Sequence, residues 1–451
     1  MTRLAPLLAV LLLTACPGPA PAPDAGVVDL CPALTGTVLT LSTDVTADET
    51  WAGDGTLHKV TFGITVRPGA TLILDPCARV QIAAGLSLTI AGDVATSRPA
   101  KLLSRGTASQ RVRIERVDGA AAWADLRALS PQSLIDLSYT TVSGGGGSNS
   151  VGHPMVWLRG AGGATTLSKN LRLVGVELDD SAGVALRLEA AAALSDDSAD
   201  VLITRSGGGG DGILEATPLA LNSLPRTLTT RDNVLNEIKV KDGSLLVERD
   251  VTVKNLGASY HFVFDRVRVY SPTATPTLTF EAGVTARFDD YLRVGFSNVG
   301  LNVFQPGKLV ALGGPGAQQI TFTSARPAQA AGDWPGIWLE SATGSRLEHV
   351  VIEKAGGNNG IVSSNCKPNL TSDHAALFLG WPGVGYVPSA SDFADVTIKD
   401  SASHGLNAMW VTGGFGPDVT AGFTFTAIAG CRQTKNGRTS GCGTEAGCLV
   451  P

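Results

Sequence analysis

Apolar residues along most of this chain come in short Val/Ile/Leu/Thr runs, separated by Gly, Asn, Asp and Ser, with few stretches at helical spacing. One pattern recurs: an apolar residue, another three positions later, and a third two positions after that. It occurs as Leu134/Leu137/Tyr139, Leu173/Val176/Leu178, Leu347/Val350/Ile352 and Phe393/Val396/Ile398, with a weaker copy at Ser198/Val201/Ile203. A single strand keeps a period of two. The extra residue shifts parity, which predicts that one strand ends, the chain turns a corner and a new strand begins. The sequence after the last four copies is also alike. A small residue stands three positions on (Ser181, Ser206, Ala355, Ser401), and a glycine then precedes an apolar residue. Glycine admits backbone conformations that a side chain forbids, and small residues let successive turns of chain stack closely. Leu178 to Ile203 is about the length of one solenoid coil, whereas Ile352 to Ile398 requires a loop inserted in the coil.

A longer repeat overlies the short one. "STDVTADETW" at 42–51 matches "ERDVTVKNLG" at 248–257, "RPGATLIL" is echoed by "EAGVTARF", and "GLSLTIAG" at 85–92 aligns with "GLNVFQPG" at 300–307. Trp123 then corresponds to Trp334. This reads as a duplication, with a first half at 31–235, a second at 236–427 and a Cys-rich tail at 428–451. The second half carries a family resemblance through Gly307, Leu309, Ala311, Gly313, Ile320, Phe322, Thr323, Ser324, Trp334, Gly336, Ile337, Ser345, Leu347, Val350 and Ile352. In these positions it resembles the right-handed parallel β-helix of the pectate-lyase-like superfamily. The resemblance implies an all-β solenoid and says little about activity. The first half departs from it: Asp125 stands where Gly336 stands, and "RVRIERV" replaces "ITFTS". Paired β-sandwiches are the competing architecture, but the Asn-Gly and Asp-Gly hairpin signals they favour are scarce.

The N-terminus reads as an export signal. Arg3 is followed by the apolar run Leu4 to Leu13, too short for a permanent membrane span, and then by Leu13-Thr14-Ala15-Cys16. This stretch resembles the lipobox of bacterial lipoproteins. The resemblance implies a signal peptide at 1–15, a lipidated Cys16 at the new N-terminus, and a Pro/Ala-rich tether through residue 30. Pro17 to Pro23 cannot form a helix and predicts a semi-rigid spacer. No acidic residue follows Cys16 directly, which points to the outer membrane. The chain has 7 cysteines. Without Cys16, Cys31, Cys77, Cys366, Cys431, Cys442 and Cys448 remain, an even set that predicts disulfides in an exported protein. Their grouping favours Cys31–Cys77, with two further bridges among the last four.

The formal net charge is -5, which argues against a nucleic-acid partner. No catalytic constellation is evident. Asp179-Asp180, Asp196-Asp197 and Asp289-Asp290 are adjacent acidic pairs, but neighbours on a strand point to opposite faces. His404-Gly405 lacks the companion motifs of polygalacturonases. "GGGGDG" at 207–212 is a single glycine-rich acidic turn where calcium-binding β-rolls need several. The six histidines are scattered, so no metal or other cofactor is expected; calcium would enter only with a lyase. Trp334 belongs to the fold pattern and, with Trp338, is read as structural. Trp381 and Tyr386, in the long insertion before Ile398, are the candidate ligand-binding residues. The expectation is a cell-envelope lipoprotein, held in the membrane by its N-terminal lipid. It would present a rigid, non-catalytic β-helix for adhesion, envelope structure or contact with a polysaccharide or surface protein. The alternative is a lyase or hydrolase acting on acidic glycans. Three or more carboxylates beside Arg or Lys on one groove would favour that alternative.

Overall fold

The computed structural model describes residues 29–147, 152–161, 166–241, 245–263, 267–289, 300–340, 343–357, 374–380, 389–410, 419–437 and 444–450. The chain is all-β, 48% strand and 5% helical. Its strands run parallel in stacked sheets, an arrangement consistent with a parallel β-helix. Among the described strands a single ladder is antiparallel, Gln433–Gly437 with Thr444–Val450.

Successive strands visit different sheets in rotation. Leu88–Ile90, Ala100–Arg105 and Val112–Arg116 lie in three separate sheets, and Leu126–Ala128, Ser133–Ser138 and Thr140–Ser143 repeat the circuit one layer further on. Sheet 1 runs from Glu49–Trp51 to Ala192–Leu194, and sheet 2 from Val38–Leu41 to Thr229–Arg231. Sheet 3 has 16 strands, starts at Ile64–Val66 and continues through both halves of the chain. Sheet 4 starts at Leu246–Val247 and ends at Thr444–Val450.

The corners explain the recurring triplet. Gly175, Asp200, His349 and Asp395, each just before the middle residue of a triplet, have φ of 62°, 52°, 50° and 50°. A left-handed residue there bends the chain and resets the side-chain parity, between two sheets at Gly175 and Asp200 and within one bent strand of sheet 3 at His349 and Asp395. The first triplet is displaced from its predicted register. Leu134 faces outward, and the buried series is Leu137, Thr140 and Val142, with Tyr139 at the corner (φ 42°). The middle place is filled by a polar residue, so an apolar search slides past it. Thr140 is fully buried, its hydroxyl bonded to Ser104 Oγ at 2.6 Å and to Ser138 O at 2.9 Å. The glycine after each corner does not always serve φ. Gly183 has an ordinary φ, but a Cβ there would lie 2.5 Å from His153 O. Close backbone approach is what excludes a side chain.

The interior is one continuous apolar cluster from Val45 to Val419. Register places Ile64, Leu88, Leu126, Val156, Leu186, Leu214, Ile238, Tyr260, Ala286, Phe322, Ile352, Ile398 and Phe425 in one row along sheet 3. Each layer completes the burial of its neighbours, and each Val, Leu or Ile buried contributes about 1.5–3 kcal/mol. Aromatic rings thicken the later part of the core. Phe288 stacks between Phe262 at 5.2 Å and Trp334 at 4.7 Å, centroid to centroid.

Mid-chain, the faces change. Sheet 1 stops at Leu194, sheet 2 stops at Arg231, and sheet 4 opens at Leu246, while sheet 3 carries on. Side chains supply the missing ladder bonds around the 3₁₀ turn Leu219–Ser223. Ser223 Oγ accepts from Leu194 N at 3.1 Å, and Asn222 Oδ1 accepts from Thr252 N at 2.9 Å. Backbone donors that lose a strand partner therefore remain satisfied.

A disulfide lies near each end. Cys31 and Cys77 are bonded, as are Cys431 and Cys448, both with Cα atoms 5.3 Å apart. Cys366 and Cys442 lie outside the described residues.

Candidate functional site: a polar ladder on the outer face of sheet 3

Each strand of sheet 3 that builds the ladder contains a triplet that turns two residues inward and one outward. The apolar-polar-apolar series begins Leu126-Arg127-Ala128, Val156-Trp157-Leu158 and Leu186-Arg187-Leu188. It continues Leu214-Glu215-Ala216, Ile238-Lys239-Val240, Tyr260-His261-Phe262 and Ala286-Arg287-Phe288. Strand register sets Arg127, Trp157, Arg187, Glu215, Lys239, His261 and Arg287 in line. Neighbouring rungs are about 4.8 Å apart, so like charges in sequence would repel. Opposite charges from this row and from adjacent corners are interleaved instead.

Glu215 is 3% exposed. It accepts from Arg187 Nε at 2.5 Å and from Lys241 Nζ at 2.6 Å. Glu237, 2% exposed, accepts from Arg287 Nη1 at 2.6 Å and meets His261 Nδ1 at 2.9 Å. His261 Nε2 faces Asp289 Oδ1 at 2.7 Å. An imidazole can donate from both nitrogens only when protonated. Burial alone would lower the His261 pKa, but the bonds to Asp289 and Glu237 outweigh it and hold the value above the ordinary one. Burial would likewise raise Glu237, and the bond to His261 with the charges of His261 and Arg287 reverses this, keeping it below the usual carboxylate value.

Asp125, fully buried, meets His153 Nε2 at 2.5 Å and lies 3.6 Å from Arg127 Nε. The Trp157 indole donates to Glu189 Oε2 at 2.9 Å, and the Arg187 guanidinium lies 5.7 Å from the ring centroid. Lys239 Nζ donates to Gly210 O at 3.0 Å. The face thus holds several carboxylates and several cations, each engaged with another member of the same face or with a nearby backbone carbonyl. Chemically this is a rigid zwitterionic strip with donors and acceptors at fixed spacing.

A cleft of about 520 Å³ lies near the corner between sheets 1 and 2 and includes Arg111, Arg113, Tyr139, Glu177 and Asp29 in its lining. Asp29 Oδ2 accepts from Arg113 at 2.9 Å, and Leu30 N donates to Ser109 O at 2.7 Å, so the first described residues run across this flank.

The residues singled out in the sequence fall as follows. Cys16, Trp381 and Tyr386 lie outside the described residues. Asp179 pairs with Arg205 and Asp180 with Arg116; Asp196 pairs with Lys169 and Asp197 with Arg172. These four acids are thus tied to basic partners. Asp289 joins the ladder through His261, while Asp290 lies outside the described residues. His404 Nδ1 accepts from Cys431 N at 2.9 Å, which ties it to the C-terminal disulfide. Trp334 is fully buried inside the core, and Trp338 is 8% exposed. Among the described residues no group of three or more His, Cys, Asp or Glu is placed to hold a metal ion. The ladder itself was missed in the sequence. Its signal is one polar residue between two apolar ones, once per coil, visible only after coils of unequal length are aligned.

No protein-family model matches the chain, and neither does a curated protein or a solved structure.

Proposed function

We propose that this is a cell-envelope lipoprotein, anchored through lipidated Cys16, whose right-handed β-helix of pectate-lyase-like kind serves as a non-catalytic surface for glycan contact. The observation that carries the reading is the pairing of the ladder's carboxylates, although Asp125 keeps one buried oxygen without a hydrogen bond among the described residues. Glu215, Glu237, Asp125 and Asp289 each have a cationic or imidazole partner within 2.9 Å. A hydrolase needs one carboxyl group kept protonated as the acid, whereas Glu237 is held ionised. A lyase needs carboxylates free to hold calcium. A strip of fixed, mutually neutralised donors and acceptors instead matches the hydroxyls of a sugar chain. The lipobox-like Leu13-Thr14-Ala15-Cys16 and the Pro-rich spacer after it support the anchor.

The two-half organisation is supported by matching indole contacts. Trp123 Nε1 donates to Ser143 O and Trp334 Nε1 to Glu353 O, both at 2.8 Å, and each acceptor follows the last apolar residue of a corner triplet.

The enzymatic alternative keeps one observation in its favour: carboxylates and Arg/Lys side chains do share one face. Incubation with polygalacturonate and calcium, read by absorbance of unsaturated products, separates the two. The proposal expects no turnover together with saturable glycan binding that Arg187→Gln weakens. Sustained turnover overturns it. Intact-mass measurement of the cell-derived protein tests the anchor, and an unmodified Cys16 in the mature chain would remove it.

A further inference from the structure

The outer face of sheet 4 carries a cleft of about 370 Å³ lined by Arg268, Tyr270, Phe304, Gln305 and Glu340. Tyr270 is 39% exposed, and its ring meets Phe304 edge-on with centroids 6.4 Å apart. Phe304 in turn meets the buried Trp338 at 5.9 Å. Tyr270 is therefore the open end of an aromatic row whose inner members are fixed by packing. Two charged groups of this cleft differ from Glu215, Glu237 and His261 of the ladder. Arg268 Nε is buried with no hydrogen-bond partner among the described residues. Burial raises the Glu340 pKa above the usual carboxylate value. Buried polar groups left without partners are costly, and a concave site with convergent polar groups beside aromatic rings is where a small ligand is expected.

We infer that this cleft binds a neutral pyranose unit, its C–H face on Tyr270 and its hydroxyls divided between Glu340 and Arg268. A hydroxyl both donates and accepts, so adjacent hydroxyls of one ring satisfy a carboxylate and a guanidinium together. The two charges cancel. A uronate would bring a second carboxylate to Glu340, and an amino sugar would bring a cation to Arg268. An exposed tyrosine offers a rigid amphipathic platform with little conformational entropy to lose. The inference deepens the glycan-contact reading and rests on it, adding a specific contact on sheet 4 to the strip on sheet 3.

The test is calorimetric titration of the whole exported protein with cellohexaose and maltohexaose, with hexagalacturonate and chitosan hexamer as charged controls. At least one neutral hexamer is expected to bind. Tyr270→Ala and Glu340→Gln should each weaken it by about tenfold, with unchanged thermal unfolding. Failure of both neutral hexamers overturns the inference, as does tighter binding of a charged one or unaltered binding in Tyr270→Ala. If Arg187→Gln abolishes binding and Tyr270→Ala does not, the glycan-contact reading survives and this site falls. If none of the four oligomers binds, both fall.

Discussion

Sheets 3 and 4 present outer faces built from the same side-chain types in opposite states. On sheet 3, Arg187, Glu215, Glu237, His261, Asp289 and Arg287 are engaged with one another. On sheet 4, Arg268 Nε has no hydrogen-bond partner among the described residues, and burial holds Glu340 above the usual carboxylate value. The difference separates two uses of charge on a solenoid. Paired charges fix the shape of a surface and contribute to folding, because removing one strands the other. Unpaired, half-buried charges weaken the fold slightly and keep their bonding capacity for something else.

Breaking the pairing on sheet 3 should have the largest effect. Glu237→Ala leaves His261 and Arg287 facing each other without their shared carboxylate, and removing one partner of a buried pair costs about 3–5 kcal/mol. Urea denaturation measures it. A loss below about 1 kcal/mol would show that the ladder is a surface feature of no structural weight.

The next effect is smaller and depends on pH. His261 has a raised folded pKa, so its contribution is fully present below its unfolded value of 6.5 and is lost as pH rises through the folded one. Glu237 has a lowered folded pKa, so its contribution is present above 4.5 and is lost as pH falls through the folded value. The cluster should therefore stabilise most between those two limits. His261→Gln should cost about 1.5–3 kcal/mol in that window and less at alkaline pH. A difference in melting temperature that does not vary with pH would contradict the doubly bonded imidazolium.

The smallest effect belongs to sheet 4. Glu340→Gln removes a carboxylate held above its usual pKa by burial, so stability should stay within about 0.5 kcal/mol of wild type or rise. A loss as large as that of Glu237→Ala would erase the contrast between the two faces.

The all-β, parallel, stacked arrangement was legible in Leu173/Val176/Leu178, Leu347/Val350/Ile352 and Phe393/Val396/Ile398, because a corner that resets parity leaves a three-then-two spacing. Where Thr140 fills the middle place, the same rule pointed three residues too early, since a buried hydroxyl with two partners looks polar in sequence. The replacement of sheets 1 and 2 by sheet 4 and by the row Val251–Val253, Thr277–Phe280 and Lys308–Leu312, which joins sheet 3 through Arg346–Glu353, was not legible. It rests on Ser223 and Asn222 bonding to strands on either side, a relation with no periodic trace. The ladder was hidden differently. Arg127, Trp157, Arg187, Glu215, Lys239, His261 and Arg287 are unrelated residues at uneven intervals, and only strand register shows that they form one line.

The apolar row from Ile64 to Phe425 crosses the region where the faces change without interruption. The molecule therefore has no seam. A cut near Arg231 would bare a raw cross-section of Ile238, Tyr260 and their neighbours, so neither fragment should survive as a soluble piece. Lengthening or shortening such a column is possible only by splicing whole turns at the left-handed corners, where one coil's end already has the shape of the next one's beginning.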